Sequence, residues 1–190
     1  MTTINIPGGT TLTASFALDA GDKITVNGPG TFDPISFGTF DPSTLVSSTA
    51  TINANVGGRG VFDVSNITFG GAVGHGQTVD LELNGTITID KPTAFKGTIG
   101  WFSYNTPHEG PFGEYVDLVG LAHAAGWSLK NDLLSITNTS GKVIDTLHID
   151  ATYAPGAALG ISKAPNGNVY FWEGYGQYRL PSGSVALPHH

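Results

Sequence analysis

The sequence predicts an all-β protein, a parallel β-helix (β-solenoid) in which short, irregular coils stack on one another. Three observations support this prediction: ten short strand-like runs, glycine-led strand motifs that recur along the chain, and helical periodicity in one segment only. An antiparallel β-sandwich or jelly roll would show similar strands and turns, and it stays open as the alternative.

Each predicted strand is a run of alternating or β-branched residues between Gly, Pro, Asn or Asp. In chain order the runs read TTINI, TLTASFAL, KITVNG, TATINANV, VFDVSNITFG, TVDLELNGTITID, GTIGWFSY, LLSITN, VIDTLHID and NVYFWEG. The alternation is clearest where Val79, Leu81 and Leu83 share one strand face. Asn84-Gly85 then predicts either a type I′ hairpin turn or a sharp corner within a coil.

Residues 115–129 are the one helix candidate, because apolar residues there have partial helical spacing. Two internal glycines weaken a helix at this position. We therefore predict a strand, a short helix or turn around residues 121–125, and a second strand.

Internal repetition favours the parallel β-helix. A glycine, a β-branched residue and a large apolar residue recur without a strict period in GTFDP (30–34 and 38–42), GVFDV (60–64), GTITID (85–90) and GTIGWF (97–102). Coils of this kind bury their inner faces only by stacking, which leaves two ends that need caps. We expect one unit over residues 1–190, with N-terminal coils in 1–57 and an aromatic, proline-containing tail in 173–190.

The composition disfavours several partners. Fifteen Asp and Glu face eight Lys and Arg, for a formal net charge of -7, and the chain has no basic cluster that would attract nucleic acid or anionic lipid. No apolar run approaches the roughly 18 residues of a transmembrane helix, so we expect no membrane insertion. The first residues lack the features of a Sec signal peptide, and any export is expected to use another route.

The segment GTITIDKPTAFKGTIGWF, with GEYVDLVGLAH and the strands after it, resembles a module of large bacterial secreted and surface proteins, the autotransporter passengers and pectin-lyase-like adhesins. The resemblance spans about residues 58–172. The matching positions are Gly85, Ile87, Ile89, Asp90, Pro92, Phe95, Gly97, Ile99, Phe102, Asp117, Leu118, Gly120, Leu121, Leu134, Ile136, Thr137, Leu147, Ile149 and Tyr153. Membership would imply a right-handed parallel β-helix that serves as a stalk or scaffold and is rarely catalytic.

Two features invite a chemical interpretation. Asp80 and Glu82 share a strand face within about 7 Å, near the separation that glycosidases use, although a solvated strand shows the same pattern. The segment 70–80 has the glycine rhythm of a calcium-binding β-roll, but His75 stands where the metal-binding Asp would be. We predict neither a catalytic residue nor a cofactor, and calcium is the only metal considered.

Aromatic residues are the main candidates for assembly or ligand contacts, because Tyr and Trp are favoured interface anchors and also stack on sugar rings. The candidates are Tyr170, Phe171, Trp172, Tyr175, Tyr178, Trp101 and Trp127.

From these observations we predict a non-enzymatic, self-assembling structural protein. It would form head-to-tail filaments or fibres at the bacterial surface or in a biofilm matrix, with further copies of itself as the partner. The alternative function is polysaccharide binding, or less readily polysaccharide cleavage, and the alternative location is the cytoplasm.

Overall fold

The computed structural model describes residues 1–19, 21–38, 48–101, 115–150, 159–173 and 180–190. Within these ranges the chain forms a β-solenoid of about four turns with stacked parallel strands. The predicted parallel β-helix is confirmed, and the sandwich alternative is wrong. No helix in the described ranges is long and apolar enough to cross a membrane.

The described part contains sixteen strands and one short 3₁₀ helix at Pro92–Ala94. The strands are β1 (Thr2–Asn5), β2 (Thr11–Ala17), β3 (Lys23–Asn27), β4 (Thr31–Gly38), β5 (Thr49–Ile52), β6 (Asn55–Val56), β7 (Gly60–Phe69), β8 (Gln77–Ile89), β9 (Thr98–Trp101), β10 (Tyr115–Leu118), β11 (Ala124–Lys130), β12 (Leu133–Asn138), β13 (Val143–Asp150), β14 (Leu159–Lys163), β15 (Val169–Glu173) and β16 (Val185–Ala186).

Each coil has three faces. The first face stacks β1, β3, β5, the second halves of β7 and β8, and β10, all in parallel register. The second face joins the first half of β4 to β6 and continues through single bridges at Val73 and Phe95. The third face stacks the second half of β4, the first halves of β7 and β8, β9, and the end of β13.

Long strands therefore turn corners instead of ending at them. The first half of β8 pairs with β9 and its second half pairs with β10, so the strand bends near Asn84-Gly85. The corner is confirmed and the hairpin turn is wrong. Residues 115–129 form two strands joined by a turn, as predicted from their internal glycines.

Inward side chains form the core in stacked columns. One column on the first face runs through Ile24, Ala50, Ile67, Ile87 and Val116. A run of phenylalanines fills the coil beside it, with neighbouring ring centroids 5.2 to 6.3 Å apart; its members are Phe16, Phe32, Phe37, Phe62, Phe69 and Phe95. Offset and edge-on aromatic contacts of this length stabilise a core beyond the area they bury.

The two ends of the solenoid differ. After β10 the parallel coils give way to a cap of antiparallel strands, in which β15 covers β10, β14 covers β15 and β16 covers β14. On the third face, β12 covers β13 and β11 covers β12. Parallel pairing thus ends with β10 on the first face and with β13 on the third face, and the N-terminal end begins with β1 and β2.

Candidate functional site

The aromatic candidates fall into different environments. Phe171 is fully buried in the core, and Tyr170, which lies on the other side of β15, is only 5% exposed. Trp172 is half-buried on the outer surface. Tyr175 and Tyr178 lie outside the described residues. Trp101 ends β9, and its side chain also lies outside the described part.

Three aromatic residues lie near one another on the outer side of the first face, where β10 pairs with β15. Tyr115 lies opposite Trp172, and Tyr115 and Tyr170 have ring centroids 5.6 Å apart. We call these three residues the aromatic patch. Tyr115 was not among the sequence candidates; its signal was the alternation in YVDL, where Tyr115 and Asp117 point away from the buried Val116.

The ring of Trp172 is held against the sheet. It occupies the space that a side chain on Gly160 would fill, since a Cβ built there would collide with the indole. The Nε1 of Trp172 donates a hydrogen bond of 3.0 Å to the Oγ of Ser162, which lies on β14 two residues after Gly160. The indole is therefore fixed in orientation rather than free to rotate.

A polar pair adjoins the aromatic patch. The Nδ2 of Asn168 donates to the Oδ1 of Asp117 at 2.9 Å, next to Tyr170 on the paired strand. Partial burial raises the pKa of Asp117, and the nearby Asp90 adds to this, while hydrogen bonds from Asn168 and Tyr170 oppose it. The patch thus combines ring surface with a carboxyl and an amide.

Trp127 ties the C-terminal residues to the cap. Its side chain is 8% exposed, and its Nε1 donates to the carbonyl of Leu187 at 3.1 Å. The ring contacts the imidazole of His189 at a centroid distance of 4.3 Å. Backbone bonds from Trp127 N–H to Pro188 and from His190 N–H to Trp127 complete the tie. The outer edge of β11 is therefore covered.

At the opposite end, no described strand covers the first coil. β1 pairs only with β3 and β2 only with β4 within the part of the chain described, so one edge of each strand has no partner strand there. We call β1 and β2 the open rung. Its inward side chains Ile4, Leu12 and Phe16 are only partly buried, whereas their neighbours in the next coil are fully buried: Val26, Phe32 and Phe37.

The carboxylates singled out in the sequence are not brought together as a described pair. Asp80 lies on the third face with Gly100 and then Asp150 stacked beside it. Burial raises the pKa of Asp80, and the charge of Asp150 adds to this rise. The side chain of Glu82 lies outside the described part. Asp150 was missed because it is 70 positions away in sequence and reaches Asp80 only through coil stacking.

The glycine-rich segment 70–80 forms the turn around Val73 and the start of β8. Among the residues that the structure describes, no group of three or more His, Cys, Asp or Glu side chains is placed to hold a metal ion. His75 therefore has no described cluster of metal ligands around it.

Comparisons of the chain with family models, with curated proteins and with solved structures found no match. The resemblance to secreted β-helix modules therefore stays a prediction, whereas the β-solenoid fold is shown by the structure.

Proposed function

We propose that this protein is a non-enzymatic structural solenoid that associates with further copies of itself through the open rung. The observation that carries the proposal is the partial exposure of Ile4, Leu12 and Phe16 beside strand edges that lack a partner in the described chain. The residues that stack on Ile4, Leu12 and Phe16 in the next coil are buried. Covering the three partly exposed side chains would be favourable in free energy, because burial of apolar surface is favourable.

The strand edges of the open rung are suited to pairing. An unpaired edge offers a row of N–H and C=O groups to another chain, and proteins usually block such edges with Lys, Pro or inward-pointing charges. Thr2–Asn5 and Thr11–Ala17 contain none of these residues. The open rung therefore combines backbone groups that lack a strand partner in the described part of the chain, apolar side chains and no charge within its strands.

The head-to-tail filament expected from the sequence is one geometry for this association. It requires the open rung to dock on the cap of the next copy. The outer strand of that cap, β16, contains only Val185–Ala186, and the outer edge of β11 is covered by the C-terminal residues. We also propose a location at the cell surface or in the matrix, which is supported only by the resemblance to secreted β-helix modules. Export by a non-Sec route is part of the same proposal.

Sedimentation velocity across a concentration series tests the proposal. An inward-pointing charge opposes edge pairing, so Ala14→Lys in β2 should shift the chain toward monomer. Thr139→Lys, an exposed substitution in the cap with the same charge change, should sediment like the wild type. A wild-type chain that stays monomeric at every concentration would sink the proposal, and negative-stain images of the associated fraction would distinguish fibres from closed oligomers.

A second candidate function is polysaccharide binding at the aromatic patch. It is favoured by the fixed orientation of Trp172 and by the neighbouring Asp117 and Asn168, because rings that stack on sugars are commonly joined by hydrogen-bonding groups. Co-sedimentation with insoluble polysaccharides would test it with Trp172→Ala, and Trp127→Phe serves as the control at a buried indole. Lost polysaccharide binding with unchanged self-association would favour this second function.

A further inference from the structure

The open rung is symmetric in a way that determines how two copies fit. β2 is a single seven-residue strand that stacks on both halves of β4. Those halves lie on different faces, because the first pairs with β6 and the second with β7. The register between β2 and β4 shifts between Ala14 and Ser15. The middle of β2 therefore lies at the corner between the second and third faces, opposite β1 on the first face.

A two-fold axis can be drawn in the plane of the open rung. It would cross the middle of β1 and pass out of the coil at this corner of β2. Rotation about that axis sets β1 of one copy against β1 of the second, running antiparallel. It also sets the second-face half of β2 against the third-face half of β2 in the second copy. Both open edges thus find an antiparallel partner through one symmetry operation.

We propose that two copies join open rung to open rung about this two-fold axis, with β1 paired to β1 and β2 paired to β2. The inference rests on the proposed self-association and specifies its partner and geometry. A two-fold joint uses the same patch on both copies and closes on itself, so it produces a dimer rather than a growing fibre.

The side-chain pattern agrees with this joint. Side chains alternate along a strand, so an antiparallel pair must match inward positions with inward positions. With Ala14 on the axis, Leu12 lies opposite Phe16 of the second copy, and Phe16 lies opposite its Leu12. With Ile4 on the axis, the two Ile4 side chains face one another. All three partly exposed core residues of the open rung are covered in a single arrangement.

The cap offers no equivalent surface in the described residues. Its outer strands pair in antiparallel fashion, and β16 covers β14. The backbone of Trp127 forms hydrogen bonds with Pro188 and His190, which cover β11. The two strands of the open rung carry no charged residue, so no like charges within β1 and β2 oppose their pairing. These features favour a second open rung over the cap as the occupant.

Disulfide trapping tests the register, because the chain has no cysteine of its own. In the proposed joint Thr13 lies opposite Ser15 of the second copy. Opposed residues in antiparallel strands have Cα atoms about 4.5 to 5.5 Å apart, within disulfide range. Equal mixing of Thr13→Cys chains with Ser15→Cys chains should give about tenfold more cross-linked dimer than either variant alone. Both positions are exposed, and Thr11→Cys with Ala17→Cys is a second pair with the same geometry.

The outcomes separate this joint from self-association in general. Preferential cross-linking of both mixed pairs, with a sedimentation limit at the dimer, supports the two-fold joint. Cross-linking of Ser15→Cys to Ala186→Cys in the cap would overturn it in favour of head-to-tail assembly. Association without cross-linking of either mixed pair would also overturn it and leave self-association standing. A wild-type chain that never associates overturns both, and Thr139→Cys reports on random encounters.

Discussion

The indole of Trp172 lies in the space above Gly160, the residue opposite it on the neighbouring strand. A Cβ at Gly160 would collide with the ring, so Gly160→Ala must displace the indole and break its hydrogen bond to Ser162. We expect a loss of about 1–3 kcal/mol in the free energy of unfolding. Denaturant unfolding measures it, with Gly8→Ala as the control, because only the Pro29 side chain lies within 4 Å of a Cβ built there. Equal stability of the two variants would show that the indole is not confined.

The tie between Trp127 and the C-terminal residues has its own consequence. Trp127→Phe keeps an aromatic ring but removes the Nε1 donor to Leu187. We expect a loss of about 1 kcal/mol and faster proteolysis after residue 180, because the tail loses an anchor on β11. Limited proteolysis followed by mass spectrometry measures this. Cleavage at the wild-type rate would mean that the backbone bonds hold the tail without the indole.

Phe62 lies in the middle of the run of phenylalanines in the core, and its ring contacts the rings of Phe32, Phe37 and Phe69. Phe62→Ala should cost about 3–5 kcal/mol, because it removes a fully buried ring and leaves a cavity. Val61→Ala, at the neighbouring position with 42% exposure, should change stability by less than about 0.5 kcal/mol. Thermal and denaturant unfolding would check both; similar losses would argue against a continuous aromatic core.

Asp145 makes the stability of the cap dependent on pH. Its side chain is 5% exposed, and its Oδ2 has no hydrogen-bond partner. Burial raises the pKa of Asp145 to about 6, although the backbone N–H of Thr146 and the charge of Lys96 oppose this. Because the folded-state pKa exceeds the unfolded value of 3.8, the folded chain binds the proton more tightly, and stability falls as the pH rises from about 4 to about 6.

Asp145→Asn should remove this pH dependence and raise stability at pH 7.5. The gain is at most about 3 kcal/mol, reduced by solvent screening and by the amide that stays buried. Denaturant unfolding at pH 4.5 and pH 7.5 measures it. Asp132→Asn makes the same charge change at an exposed turn and should keep the wild-type profile. If the two variants showed the same dependence of stability on pH, burial would not raise the pKa of Asp145 enough to affect folding.

The sequence predicted the solenoid from local evidence, and the β-sandwich stayed open as the alternative until the strand pairing was known. Alternation around Val79 indicated strands, and the recurrence of glycine-led strands favoured stacked coils over a sandwich. The cap was not predictable in the same way: β12 and β13 alternate as well as the coil strands do, and nothing in LLSITN or VIDTLHID distinguishes antiparallel from parallel pairing.

The candidate site shows the same limit. Trp172 was predicted from its residue type, but its partner Gly160 and the neighbouring Tyr115 meet it through strand register. Phe171 was expected at a contact surface, yet the alternation of β15 turns it into the core. The partial exposure of Ile4, Leu12 and Phe16 depends on what covers the first coil, which periodicity does not encode.

Hydrogen exchange of backbone amides tests the role of the open rung most directly. At high protein concentration, amides in residues 2–5 and 11–17 should gain protection relative to a dilute sample, while those of β12 and β13 stay unchanged. The same comparison in Ala14→Lys should show no gain. If the chain associates while the amides of β1 and β2 exchange at the dilute rate, the open rung is not the joint, and the central claim is contradicted.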